Sequence, residues 1–512
     1  MNKLTNDAMI VASRQELIDM IKYQASIIDQ LNNSITELTM QLDWLKRQVF
    51  GAKSERFISS SDQQIALDLG VVKKEELETP PATKTVTYDR TSKKKSEEPA
   101  KGHGRGKMPT HLPVTVKTVL PEGDLSDMVL INDGEDDFSW YYEMDAPASL
   151  HIIKIIRPRY ALADKSGVAV GPLPVLPVEK GNAGPGLIAQ ILIDKFFYHL
   201  PLNRQIEKYR NEYNVDFSES WFCDNVKNGI FWIESAYNEN KKRMLLSDLL
   251  QADETPIPVL TKDGKGKTHR GYLWVYRDPI KKIVIFDYRP SRSRAGPTDF
   301  LKDFKGTLQI DGYEGYDEII TRNNLKRAAC MDHVRRRFEK ALEYDSIRAT
   351  YALDIVKSWY ALERDARENN MSPEDKLAMR KELIKPSMEQ FKAWMQEQLK
   401  QVLPKSPIGV AITYALNQWG YFDPFLSDPR VDLSNILIEN AIRPVALGRK
   451  NFMFAGSHEA AQRIAIIYST IAIAKLHGID PFIYIKELLT ELPAATSSDI
   501  EKFLLPEWKP NK

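Results

Sequence analysis

Cysteine is nearly absent: Cys223 and Cys330 are the only two in 512 residues. Two thiols cannot frame a disulfide scaffold, and that scarcity fits a reducing compartment, so a cytoplasmic protein is expected. The opening Met1-Asn2-Lys3-Leu4-Thr5-Asn6-Asp7 has no apolar core of the kind a signal peptide needs. The longest apolar stretch, Ile464 to Leu476, falls short of the ~20 residues that cross a bilayer and reads as a buried helix, so no membrane partner is expected. Net charge is also missing, because 71 basic residues meet 70 acidic ones. A global basic surface is thereby excluded, and any anionic partner must be met by local clusters. Two such clusters exist. Lys262 to Arg294 is rich in bases, among them Lys265, Lys267, Arg270, Arg277, Lys281, Lys282, Arg289, Arg292 and Arg294; a second holds Lys326, Arg327, Arg335, Arg336, Arg337 and Lys340. Solvated surface is the plainer alternative for each.

The length is too great for one ordinary core, and the pattern along the chain divides it. Leu17, Ile21, Gln24, Ile28, Leu31, Ile35, Leu38, Leu42, Leu45 and Val49 alternate steps of four and three. This heptad seam predicts a coiled-coil dimerisation segment over 1–58, with Gln24 as its one polar interruption. Residues 59–110 are poor in apolar side chains and rich in breakers, which predicts a flexible linker. Alternating β-branched runs, such as Val114 to Val119 and Ile152 to Ile156, predict a small β-rich module over 111–180. Residues 181–245 read as helical. One helix is expected over Leu202 to Tyr213 and another over Glu219 to Trp232, capped by Ser218, and so short a turn between them admits a helix-turn-helix that binds DNA. An ordinary helical hairpin is the alternative.

From Leu246 the period changes to that of strands. Leu249 to Leu260, Gly271 to Tyr276 and Ile283 to Tyr288 are three successive runs, followed by a short helix near Pro297 to Phe304 and a strand from Gly306 to Asp311. Three antiparallel strands, a helix and a parallel strand is the order of a ribonuclease-H-like core, expected over 246–343. That order makes Asp253 and Asp311 neighbours in the sheet. Carboxylates on apolar strands are costly unless compensated, and hard divalent cations with oxygen ligands supply the compensation. Two ions about 3.5–4 Å apart would serve an in-line phosphoryl displacement. Strand-ending acids without a metal are the alternative. Glu254, adjacent to Asp253, should face the other way and is not counted as a ligand. Cys330 and His333 have half the spacing of a zinc site, but no other cysteine is near, so they read as a strand-to-helix junction. A helical insertion is expected over 344–430. The core is completed over 431–492 by a helix bearing Glu439, a third carboxylate, with Arg443 one turn on, and 493–512 forms a tail. Arg443, Arg449 and Lys450 are candidate phosphate contacts.

These motifs together resemble the insertion sequence 66 transposases, specifically their large catalytic subunit. The likeness rests on Ala252-Asp253-Glu254-Thr255-Pro256, Gly271 to Tyr276, Asp311-Gly312-Tyr313-Glu314-Gly315-Tyr316, Cys330 to Phe338, Glu439-Asn440-Ala441-Ile442-Arg443-Pro444 and Gly448-Arg449-Lys450-Asn451. Leu200 to Gln205 resembles the family's helical DNA-binding region, and Val49 to Arg56 its N-terminal segment. The likeness runs nearly the whole chain in one order. It implies an α/β multidomain protein with a ribonuclease-H-like (DDE integrase) core, helical insertion, N-terminal coiled coil, small β-rich module and helical DNA-binding region. It also implies a DNA transposase whose catalytic and metal-binding residues are Asp253, Asp311 and Glu439, using two Mg²⁺ ions for which Mn²⁺ can substitute. The implied DNA contacts are Arg204, Lys208, Arg210, Arg335, Arg336, Arg443, Arg449 and Lys450. The implied partners are duplex DNA (inverted-repeat ends and target), further copies of the chain as a homodimer or higher oligomer, and accessory proteins encoded by the same element. A catalytically inactive DNA-binding relative and a structure-selective nuclease on the same fold are the alternatives.

Two departures stand out. The family's β module usually carries paired cysteines for zinc, and around Pro158 to Ala163 this chain has none, so no zinc is expected. The family often reads Asp-Asn-Asn before the catalytic Glu, where this chain has Ser434-Asn435-Ile436. The heptad seam generates a direct expectation. Replacing Leu31 and Leu38 together by Asp should convert a dimer to monomers by analytical sedimentation, and an unchanged mass would show that the seam docks elsewhere.

Overall fold

The computed structural model describes residues 108–509 apart from 122–127, 134–137, 146–148, 163–167, 179–180 and 261–266. The heptad segment and most of the expected linker lie outside the described residues. Among the described residues no helix is long and apolar enough to cross a membrane. The architecture is mixed α/β.

Six short strands come first: β1 (Val114–Thr118), β2 (Met128–Asn132), β3 (Phe138–Asp145), β4 (Ser149–Ile156), β5 (Arg159–Leu162) and β6 (Val168–Val170). They form two three-stranded sheets, ordered β1-β4-β3 and β2-β5-β6. Alternation sorts the side chains of β3 and β4 to two faces. Trp140, Tyr142, Met144, Leu150 and Ile152 join the main core, whereas Tyr141, Ile153 and Ile155 form a small separate cluster. The next helix, Pro185–Phe196, starts hard against β3. The buried Glu143 carboxylate accepts from the Leu187 N–H at 3.2 Å, satisfying one free donor of that helix end. A Cβ on Gly186 would stand 2.0 Å from the Met144 carbonyl, so only glycine allows this approach.

Helix Leu202–Tyr213 ends on Asn214 in the left-handed region, and helix Glu219–Leu245 begins one turn later with Ser218 Oγ accepting from Trp221 N–H. The sequence reading stops this second helix at Trp232. It continues to Leu245 because no breaker intervenes and its buried stripe of Phe222, Ile230, Ile233, Ala236 and Met244 keeps helical spacing.

The central sheet has five strands in the order β11-β10-β7-β8-β9. β7 (Leu249–Leu260), β8 (Thr268–Asp278) and β9 (Ile283–Arg289) run antiparallel, while β10 (Thr307–Gln309) runs parallel to β7 and to β11 (Lys326–Ala328). The sequence reading has no β11, because three residues are too few to show a period. Helix Ala295–Phe300 lies between β9 and β10. Gly306, at φ +138°, lets β10 start where the Thr307 N–H donates to the Asp248 carbonyl at 2.8 Å. Helices Glu219–Leu245, His458–Leu476 and Pro481–Glu491 complete the main core with the sheet.

Residues 346–427 form a helical excursion with its own core around Trp359, Phe391, Met395 and Ile412. Arg380 is fully buried there, and it donates two hydrogen bonds to Glu363 at 2.6 and 2.7 Å and one to the Phe425 carbonyl. The chain then returns to the sheet at residues 432–435. Gln309, wholly buried at the end of β10, makes the join: its Nε2 donates to the Asp432 carbonyl at 2.7 Å and the Ala329 carbonyl at 3.1 Å, and its Oε1 accepts from Gln251 at 2.8 Å. Gln309→Ala would orphan these buried groups at once, and should lower stability by about 3 kcal/mol in urea unfolding. A loss under about 1 kcal/mol would mean that the join is held elsewhere.

Candidate active site

The Gln251–Gln309 pair also sets the geometry of the site. These residues face each other across β7 and β10, and two positions further on stand Asp253 and Asp311. A step of two keeps a side chain on the same face of a sheet, so both acids emerge on one side. Glu439 arrives from above, in the first turn of helix Ile436–Phe452. It borders a cavity of about 350 Å³ together with Asp253, Glu254, His333, Arg336, Ile442, Arg443 and Ala446. Asp311 stands behind that wall, 3.9 Å from His333, so acids separated by 58 and 128 positions in the sequence come within electrostatic reach of one another.

Asp311 lies two residues past the end of β10, in a braced turn. Its Oδ1 accepts from the Tyr313 N–H at 3.0 Å, and the Tyr414 hydroxyl of the helical excursion donates to its backbone carbonyl. Gly312, at φ +96°, makes the turn possible. Asp253 Oδ1 accepts from the Glu254 N–H at 2.8 Å. Burial, then the charges of Glu254, Asp311 and Glu439, push the Asp253 carboxyl up to about 8. Glu254, which strand alternation assigns to the other face, nevertheless borders the same cavity. The Glu254 carboxylate is paired with Arg292, whose guanidinium lies 3.9 Å over the Tyr313 ring. Glu254 therefore already has a cation.

The other compensating groups come from helix Met331–Ala341. His333 and Arg336, three residues apart, share one face. His333 Nε2 stands 3.9 Å from Asp311 Oδ2, and Arg336 Nη2 donates to Glu439 Oε1. Desolvation lowers the His333 pKa and favours its neutral form, so Arg336 and Arg443 carry the positive charge of the cavity wall. Sequence reasoning passed over His333 except as half a zinc pair. Its spacing from Arg336, on a helix entered directly from a strand, was the available signal. Cys330 is buried, and its thiol donates to Asn435 Oδ1 at 2.8 Å, so it ties two segments together.

The expected DNA contacts are scattered. Arg336 and Arg443 line the cavity. Arg449 donates to the Pro256 carbonyl, and Lys450 is exposed beside it. Arg335 is paired with Asp332 and Glu339. On helix Leu202–Tyr213, Lys208 is paired with Asp194 at 3.2 Å and Arg210 with Asp216 at 2.5 Å, while Arg204 is exposed.

Among the described residues no three His, Cys, Asp or Glu side chains converge into a ready coordination shell. The donor chemistry nevertheless fits a hard divalent cation: Asp253, Asp311 and Glu439 offer only oxygen, and their mutual repulsion is what such an ion relieves. The raised Asp253 carboxyl has a measurable consequence in metal-free protein. Its native pKa exceeds its unfolded one, so ionisation costs stability that is fully present near pH 4 and lost as pH climbs through about 8. Asp253→Asn removes that cost. Its melting temperature should match the wild type near pH 4 and rise above it by pH 8, and a constant difference across that range would refute the raised carboxyl.

Comparison with known proteins gives the family. A family model described as Transposase IS66 family matches residues 180–463, a span holding all three acids, and one described as Transposase C of IS166 homeodomain matches residues 37–116. The chain is 28% identical over 504 residues to the uncharacterized protein y4jD of Sinorhizobium fredii, covering 94% of this chain and 96% of that one. It is likewise 28% identical to the uncharacterized protein y4hP of the same organism, covering 93% and 89%.

Proposed function

The chain belongs to the IS66 transposase family, and on that premise we propose that it is a DDE-type DNA transposase which binds the ends of its element and carries out strand cleavage and strand transfer. The observation that carries the reading is that Asp253 and Glu439, from a strand and a distant helix, border one cavity while Asp253 feels the charges of both Asp311 and Glu439. The order of three antiparallel strands, a short helix and a parallel strand supports a ribonuclease-H-like core. Asp253, Asp311 and Glu439 would hold two Mg²⁺ ions, with Mn²⁺ as a substitute and no zinc. Bound there, the ions would supply charge stabilisation to the oxygens entering and leaving phosphorus.

The remaining chemistry belongs to the chain. Phosphodiester cleavage breaks one P–O bond as an oxygen nucleophile, water or a 3′-hydroxyl, forms another. Arg443 is exposed at the cavity, suited to hold a phosphate of the scissile strand by charge-assisted hydrogen bonds. Arg336 is paired with the Glu439 carboxylate, keeping it from facing the other acids unpaired. The Tyr313 N–H and Tyr414 hydroxyl hold the Asp311 turn, so that its carboxylate is oriented before substrate arrives. Duplex ends and target DNA, a second copy of the chain and accessory proteins of the element are the proposed partners, and the cytoplasm the proposed location.

Glu439→Gln keeps size and hydrogen bonding but removes the charge. Binding to element ends in a gel-shift assay should persist, while Mg²⁺-dependent cleavage and strand transfer should each fall by roughly a thousandfold or more. A folded variant cleaving within about tenfold of wild type would remove Glu439 from the triad and move attention to Glu459.

A further inference from the structure

Four consecutive residues, 432–435, are each fastened to the end of β10 or to the start of helix Met331–Ala341. The Asp432 carbonyl accepts from Gln309, and the Leu433 carbonyl accepts from the Met331 N–H at 2.9 Å. Ser434 Oγ donates to Asp332 Oδ2, and Asn435 exchanges hydrogen bonds with Cys330. Helix Ile436–Phe452 begins immediately afterwards and delivers Glu439 one turn later. Three of these ties use backbone groups or a thiol. The Ser434–Asp332 tie is the one made to a carboxylate.

Asp332 is 4% exposed, and both its oxygens are occupied. Oδ1 accepts from the Tyr360 hydroxyl at 2.9 Å and from Arg335 Nε at 3.3 Å; Oδ2 takes Ser434. Its backbone carbonyl accepts from Arg336 Nε at 3.3 Å, and Arg336 is the group bonded to Glu439. The residue thus touches both routes to the third acid: through Ser434 to the helix that carries it, and through Arg336 to its carboxylate. The Ser434 hydroxyl passes the connection on by accepting from the Ile436 N–H at 2.9 Å, a free donor at the helix start. Asp332 does not border the active-site cavity, and so does not touch reacting atoms.

We infer that Asp332 is a positioning residue, which through Ser434 and Arg336 sets where Glu439 stands relative to Asp253 and Asp311. The carboxylate and hydroxyl face each other across two segments 102 residues apart, and a hydrogen bond of this kind survives if its two ends are exchanged. This chain thereby has a local carboxylate at the mouth of the Glu439 helix, although residue 434 itself is Ser. The inference rests on the proposed function, since it gives Asp332 a purpose only if Glu439 acts.

The test uses the full-length protein and three variants beside Glu439→Gln. Asp332→Ala should keep end binding while cleavage falls about a hundredfold, the upper range for losing an outer-shell partner. Ser434→Ala, a smaller change that removes only the hydroxyl and keeps the fold testable, should lose about tenfold with the DNA concentration for half-saturation unchanged. The exchange Asp332→Ser with Ser434→Asp should recover cleavage to within about tenfold of wild type. A readout apart from turnover is Mn²⁺ binding to DNA-free protein by electron paramagnetic resonance, where Asp332→Ala should bind about tenfold more weakly and the exchanged pair should recover. Wild-type cleavage and Mn²⁺ affinity in folded Asp332→Ala and Ser434→Ala would overturn the inference. So would losses that the exchange leaves unrepaired, since those mark a merely structural residue. Should Glu439→Gln itself cleave normally, the functional reading falls first. If Glu439→Gln is inactive while the Asp332 and Ser434 variants are normal, only the positioning role falls.

Discussion

Carboxylates crowded into a cleft of low dielectric repel one another, and much of the core is arranged around that repulsion. Unit charges 4 Å apart differ in energy by several kcal/mol between water and a partly buried site, so four acids cannot share the space uncompensated. Glu254 is given Arg292, Glu439 is given Arg336, and Asp311 has His333 at its side. Asp253 has only a backbone N–H, and burial first, then its acidic neighbours, push its carboxyl up. A site that only needed stability would not collect these groups. Under the proposed function, an incoming cation would neutralise that charge beside a reacting phosphate.

The framework holding these acids is a chain of buried polar contacts, and the hydrophobic core sits behind it. Gln251, Gln309 and Arg277 form a hydrogen-bonded row inside the sheet, two residues below the acids. From the far end of that row, Gln309 reaches the returning segment at Asp432. An amide side chain suits this place because it donates and accepts at once, tying the paired strands β7 and β10 to a returning segment outside their ladder. The helical excursion contributes more than bulk. Its Tyr414 holds the Asp311 carbonyl, its Gln418 accepts from Arg327 on β11, and its Tyr360 holds Asp332. Residues remote from the cleft in sequence therefore bear on its geometry, and changes in the excursion are expected to be felt there.

Much of this could be read before any coordinates. The strands β7 to β9, the short helix and β10 follow from β-branched and aromatic runs between breakers. The acids Asp253, Asp311 and Glu439 stand out as charges on apolar elements, and the family likeness rests on the motifs around them. Strand β11 was too short to show periodicity, and the Glu219 helix ran past its expected end because a continuous buried stripe outweighs a guess at a boundary. Arg292 stood out only as one base in a cluster and His333 only as half a zinc pair, and Asp332 not at all, for a different reason. Each is an ordinary polar residue in sequence, and its importance lies in what it meets.

What the sequence by itself determined is the local order: which segments are strands and helices, which acids lie on them, and to which family their order belongs. These follow from periodicity, propensity and motif, all of which act between near neighbours in the chain. What only the tertiary structure decided is pairing: Arg336 with Glu439, Arg292 with Glu254, Asp332 with Ser434, and Lys208 and Arg210 with acids of the protein itself. A charged side chain carries no mark of its partner, because Coulomb attraction depends on distance and solvent in the folded state and not on separation along the chain.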